Sequence, residues 1–196
     1  MVEVKPGSAK DRLIAAAGEL FYAHGIAATG VDAVLKRARV SPATLYAHFP
    51  GGKDALVAEY LRQRFAQWQQ LWGDMLDRST DATARALSVF DALVEYRRAG
   101  YLRGCTFLSA AVELPSEHPG REWLAADTAF LRQQLRRLTE ALDVPDPDLL
   151  GRQFVLLYDG ALADGLREGR EAPGAIAVVL TARATAVRLI EEAQRA

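Results

Sequence analysis

The chain has 196 residues, half of them hydrophobic and a quarter charged, ordinary globular values that exclude disorder over most of its length. Its single cysteine, Cys105, excludes an intramolecular disulfide framework and leaves too few thiols for a cysteine zinc site. No apolar run approaches the ~18 residues needed to span a bilayer and no cleavable signal opens the chain, so a cytoplasmic protein of one or two domains is expected.

The formal net charge of −1 hides an asymmetry. Residues 1–53 carry seven Lys/Arg against four Asp/Glu and the remainder seventeen against twenty-one, so the first part is +3 and the rest −4. All four lysines, Lys5, Lys10, Lys36 and Lys53, lie in that first part. A small phosphate-facing surface on an acidic body fits this distribution.

The first helix opens with Ser8 and Asp11 at capping-box spacing. Leu13, Ile14, Ala17, Leu20 and Phe21 follow as an apolar stripe, and His24-Gly25 ends it, glycine supplying a left-handed cap. Lys5, Lys10 and Arg12 lie near its edge, where they can add contacts to a phosphate backbone.

Thr29 and Asp32 repeat the capping-box spacing, so a second helix is expected from about Gly30, with Val31, Val34 and Leu35 inward and a stop near Arg39-Val40. Ser41 then caps a third helix whose first position is Pro42. Two helices so closely joined must cross steeply, which pushes the second outward to where a major groove could receive it. On it Leu45 and Phe49 face inward, leaving Pro42, Ala43, Thr44, Tyr46, Ala47 and His48 outside. Tyr46 and His48 can donate to phosphate oxygens, and Lys53 adds a charge beside the next helix start. An ordinary helical hairpin would explain any one of these signals; the ordered set points to a DNA-reading helix-turn-helix.

From LIAAAGELF through VSPATLYAHF and GGKDAL the segment resembles the N-terminal domain of the tetracycline-repressor (TetR) family of bacterial transcription regulators. The resemblance implies that Thr29 and Ser41 are phosphate-facing caps, that Pro42, Ala43 and Thr44 lie near base edges, and that Tyr46, His48 and Lys53 grip backbone. Lys36 joins this DNA-binding set. Two departures stand out: Arg39 occupies a turn position where the family usually has glycine, and Gly51-Gly52 gives the longer of two loop forms.

Beyond Lys53 the pattern stays helical, without a credible strand or an internal repeat. A long fourth helix carries Leu56, Val57, Tyr60, Leu61, Phe65, Trp68, Leu71 and Trp72. Further helices are expected over roughly residues 81–98, 104–114, 121–142, 148–168 and 174–194, with Pro115, Pro119, Pro145 and Pro147 as punctuation. The expected architecture is all-α: a helix-turn-helix DNA-binding domain over residues 1–53 and a helical effector-binding and dimerisation domain over residues 54–196.

The resemblance implies that the last two helices meet their twins across a two-fold axis, with Phe154, Ala161, Leu162, Val179, Leu180, Val187 and Ile190 in the interface. It also implies a small-molecule pocket, for which Trp68, Trp72, Phe90, Phe107, Trp123 and Tyr158 supply aromatic surface. Thr106, Ser109 and Glu113 share a polar face that is compatible with pocket lining and with solvent alike. The expected function is that of a homodimeric repressor of a palindromic duplex operator, released by a small molecule. Control by a protein partner is the alternative. An enzyme with Cys105 as nucleophile and His118 as base, beside Glu113 or Glu117, is a remote reading, since Cys105 suits a small buried hydrophobe and His118 a loop residue. No cofactor motif or metal-ligand spacing occurs, and no catalytic residue or membrane partner is expected.

Overall fold

The computed structural model describes residues 7–167 and 172–195, so Lys5 and the turn before the last helix lie outside the described residues. Among the described residues there are nine α-helices and no strand: α1 (Ala9–His24), α2 (Val31–Ala38), α3 (Pro42–His48), α4 (Gly52–Arg78), α5 (Ala82–Arg98), α6 (Thr106–Glu113), α7 (Arg121–Glu140), α8 (Pro147–Arg167) and α9 (Ala172–Ala193). The helix ends expected from capping and proline signals fall within about two residues of these bounds.

The chain divides into two compact units. The first is larger than the 1–53 segment expected: it continues through Phe65 on α4 and takes in Thr106–Ala125, hence α6 and the start of α7. The second comprises the rest of α4, α5, the rest of α7, α8 and α9.

Local chemistry explains the first unit. The Ser8 hydroxyl accepts from the Asp11 amide at 3.2 Å while the Asp11 carboxylate accepts from the Ser8 amide at 3.0 Å, a complete capping box. Gly25 ends α1 at φ 92°, a conformation that a side chain would strain. The stripe of α1, Leu13, Ile14, Ala17 and Phe21, is buried with Val34, Leu35, Leu45 and Phe49, and with Leu56, Val57, Tyr60 and Leu61 of α4. Phe21 meets Tyr60 edge-on at 5.6 Å. Ala110, Leu114 and Leu124 complete the same core, which is why the unit extends beyond the three short helices.

In the second unit Trp72, Phe90, Phe154, Leu135, Leu150 and Leu162 are among the largest buried side chains. Trp72 donates its indole N–H to Ser88 at 2.9 Å, and Phe90 meets Phe154 at 5.7 Å. Arg97 is fully buried, its guanidinium donating to the carbonyls of Tyr101, Ala161 and Leu162.

Helix α9 corrects one expectation. By length and composition it is apolar enough to cross a membrane, with a mean hydropathy of 1.4 over its best window. Counting uninterrupted runs misses it because Arg183 and Arg188 break the sequence. Its inner face, Ala175, Val179, Ala182, Ala186 and Ile190, is buried, and Arg183 pairs with Asp91 of α5 at 2.8 Å. That one face packs into the core of the second unit.

Candidate nucleic-acid interface

Helix α3 is short because Pro42 can only start it and Phe49 leaves the helical region. Ser41 caps it, its hydroxyl accepting from the Thr44 amide at 3.2 Å and paired with the Thr44 hydroxyl at 2.9 Å. Leu45 is 1% exposed, and Phe49 is buried beside it. Those two anchors turn Pro42, Ala43, Tyr46, Ala47 and His48 to solvent, with Thr44 half-buried. Tyr46 is 55% exposed, unusual for a large aromatic side chain that no partner covers.

The turn before α3 needs a left-handed residue, and Arg39 supplies it at φ 55°, ψ 52°. The glycine usual in the family would do so without steric cost. Arg12 reaches across from α1 to donate to the Ala38 carbonyl at 3.2 Å, holding the end of α2. Gly52 is the other special position: its φ is +61°, and an added Cβ would stand 3.3 Å from the Tyr46 ring. Gly52 thus lets the tyrosine lie across the start of α4. Lys53 follows at once, half-buried, and Lys10 stands 5.9 Å over the Phe49 ring. Lys36 is exposed on α2, whereas Arg37 is paired with Glu19 at 2.6 Å.

Thr29 departs from its expected role. Helix α2 is capped by Gly30 with no side-chain bond, and Thr29 is 4% exposed. Its hydroxyl donates inward at the turn after α1, 2.7 Å from the Gly25 carbonyl and 3.3 Å from that of Leu20. A hydroxyl turned inward cannot meet a phosphate.

The residues assigned to a ligand fall in both units. Trp68, Trp72, Phe90 and Tyr158 belong to the second; Thr106, Phe107, Ser109, Glu113 and Trp123 belong to the first. Trp72 and Phe90 are wholly buried core. Phe107 and Trp123 both pack on Phe65, at 6.5 and 6.3 Å. Ser109 faces solvent, and Thr106 has a buried hydroxyl without a partner. The Glu113 carboxylate accepts from the Ala27 amide at 2.6 Å and lies against Gly25, tying the end of α6 to the turn after α1. His118 is buried, with Nδ1 accepting from the Gly120 amide at 2.9 Å and Nε2 3.4 Å from Asp54. Both of its nitrogens are engaged, which suits a structural residue and not a general base.

Of the residues assigned to a dimer interface, Phe154, Ala161, Leu162, Val179 and Ile190 are buried inside the second unit, and Val187 is half-buried. Leu180 alone of the set is exposed, at 49%. The outward faces of α8 and α9 carry instead Leu149, Leu156 and Gly160, and Ala177, Leu180, Thr181 and Ala184.

A short helix seated on two buried anchors, with its polar and small residues turned out beside basic side chains, defines a helix-turn-helix DNA-binding protein. A model of the bacterial regulatory proteins of the tetR family matches residues 13–60. The crystal structure of a TetR-family transcriptional regulator from Streptomyces coelicolor is 30% identical, covers 97% of this chain and 92% of its own, and superposes with a TM-score of 0.86. A TetR transcriptional regulator from Streptomyces avermitilis is 29% identical over 90% of this chain and 98% of its own, with a TM-score of 0.69. The HTH-type transcriptional regulator LmrA of Bacillus subtilis is 31% identical over 75 residues, 38% of this chain and 40% of that protein. The chain belongs to the TetR family of DNA-binding transcriptional regulators.

Proposed function

We propose that the chain is a cytoplasmic repressor that binds a palindromic operator as a homodimer and is released by a small molecule, without a catalytic step. The observation that carries the DNA half of this reading is the outward surface of α3, with Tyr46 and His48 at its end and Lys53 just beyond. The support for a dimer is the outer side of α9: only 28% of its most apolar window is buried in the protomer, and its exposed positions are mostly small. Two copies related by a two-fold axis would set two reading helices on successive major-groove faces. Release is then a population shift towards a form with lower operator affinity, of the size of the ligand's own preference between forms. Control by a protein partner is the second reading, favoured by Val112 and Leu108 of α6, which are 89% and 43% exposed.

Selection from random duplexes with the purified chain should recover an inverted repeat; recovery of unrelated sequences would end the operator reading. No arginine lies on α3, so base preference should rest on thymine-methyl contact and DNA shape, and Ala43 or Thr44 variants should alter it. Lys53→Ala should weaken binding about tenfold on every sequence and lower the salt slope by about 1. Release of the repeat by a compound, without added protein, would separate the small-molecule reading from the partner reading.

A further inference from the structure

One side of the second unit's core is an aromatic cluster with polar groups that its packing leaves unmatched. Trp68 of α4 is 7% exposed, and its ring meets Tyr158 of α8 at 5.7 Å, Tyr96 of α5 at 6.1 Å and Trp72 at 6.0 Å. Tyr96 is stacked in turn on Tyr101 at 4.7 Å. The indole N–H of Trp72 is satisfied by Ser88, but Nε1 of Trp68 is buried with no acceptor. A buried tryptophan ordinarily finds one.

Two carboxyl groups belong to the same neighbourhood. Asp127 of α7 is half-buried, three residues before Phe130 and four before Leu131. Phe130 packs on Trp72 at 5.5 Å and Leu131 is buried in the core, so the face that Asp127 shares with them is turned inward. Asp159 of α8, also half-buried, directly follows Tyr158. Burial and the nearby Cys105, Asp127, Tyr96 and Asp159 all disfavour ionisation of the Tyr158 phenol, which places both carboxyls in its neighbourhood. The charge acting on Asp127 is the like charge of Asp159, while Arg132 offsets part of the penalty at Asp159. Burial and this repulsion push Asp127 up to about 7, and burial raises Asp159 as well.

Aromatic faces, two half-buried carboxyls and a donor without an acceptor share one complement. We propose that this part of the second unit is a receptor for an organic cation, an aromatic or amphipathic amine whose charge sits between Asp127 and Asp159 against the Trp68 and Tyr158 rings and whose oxygen accepts from Trp68 Nε1. The proposal rests on the small-molecule reading above and narrows its ligand. Of the nine side chains first assigned to the pocket it keeps Trp68 and Tyr158, and it adds two aspartates.

The test titrates the full chain with tetraphenylphosphonium and with tetraphenylborate, ions of one shape and opposite charge, by calorimetry and tryptophan fluorescence at pH 8. The cation should bind at least tenfold more tightly than the anion. Asp127→Asn and the double variant with Asp159→Asn should lose at least tenfold in cation affinity while keeping cooperative thermal unfolding. Lowering the pH to 6 should weaken cation binding to the parent several-fold, because Asp127 must give up its proton, and should leave the Asp127→Asn affinity almost unchanged. Equal binding of both ions by the parent, or undiminished cation binding by the double variant, overturns the proposal. Operator release by neutral or acidic compounds that tetraphenylphosphonium does not compete with would overturn the cation site and leave small-molecule release standing. Asp127-dependent cation binding that never affects operator binding would do the reverse.

Discussion

The turn behind the reading helix and the aromatic cluster around Trp68 bury polar chemistry in opposite ways. In the first, Thr29 closes the end of α1, His118 is held by Gly120 and Asp54, and Glu113 receives the Ala27 amide. Each of these groups sits opposite the partner its chemistry requires, so the first unit presents α3 as a fixed surface. In the second, Trp68 keeps an orphan donor and Asp127 keeps a carboxyl whose ionised form the surroundings resist. Matched interior polarity makes a scaffold, and mismatched polarity stores free energy that a ligand can recover.

The contrast can be broken most forcefully on α8 and α9. Leu162→Asp puts a charge at a position 1% exposed and should cost more than about 4 kcal/mol, unfolding the second unit in denaturant titrations. Leu180→Asp, at 49% exposure, should change the unfolding of the protomer by only about 0.5 kcal/mol yet give monomers in sedimentation. An intact dimer for Leu180→Asp would move the interface off the outer face of α9.

The next largest effect belongs to Asp127. Because its folded pKa is raised to about 7, the folded chain holds a proton that the unfolded chain has released between pH about 4 and 7. Stability therefore falls as pH rises through that window, by up to about 4 kcal/mol and less for the water that reaches a half-buried group. Asp127→Asn should gain most at pH 8 and flatten the profile; melts at pH 5 and pH 8 with equal differences for parent and variant would refute the mismatch.

Smaller effects sharpen the first unit. Glu113→Ala removes a short charge-assisted bond and should cost about 1–2 kcal/mol, with hydrogen exchange rising at Ala27. Arg39→Gly relieves a left-handed arginine and should stabilise by about 1 kcal/mol, visible as a higher melting temperature with operator binding retained.

Legibility followed the range of the interactions. The helices α1 and α3 were readable because a capping box, a proline at a first helical position and a terminal glycine act over three or four residues. The same spacing misled at Thr29: T-x-x-D looks like the S-x-x-D box at Ser8, but the carbonyls of Gly25 and Leu20 claimed the hydroxyl and left Gly30 as cap. Glu113 could not be placed from sequence, since the amide it binds lies 86 positions away. The residues expected at a dimer interface come from the apolar stripe of each helix, which is the stripe a protomer buries first; the proposed interface uses the exposed remainder. Asp127 carries no local signal in the sequence, and Phe130 seated on Trp72 reveals which way its face is turned.

The tryptophans make the two units separately visible to light. Trp123 is the one indole in the first unit, half-buried against Phe65, while Trp68 and Trp72 lie 6.0 Å apart in the second, close enough for their excited states to mix. Replacing Trp123 with phenylalanine leaves an emission that reports on the second unit, and replacing the pair leaves one that reports on the first. The chain thus carries its own spectroscopic labels for asking whether a bound molecule is felt where it docks or where the DNA is held.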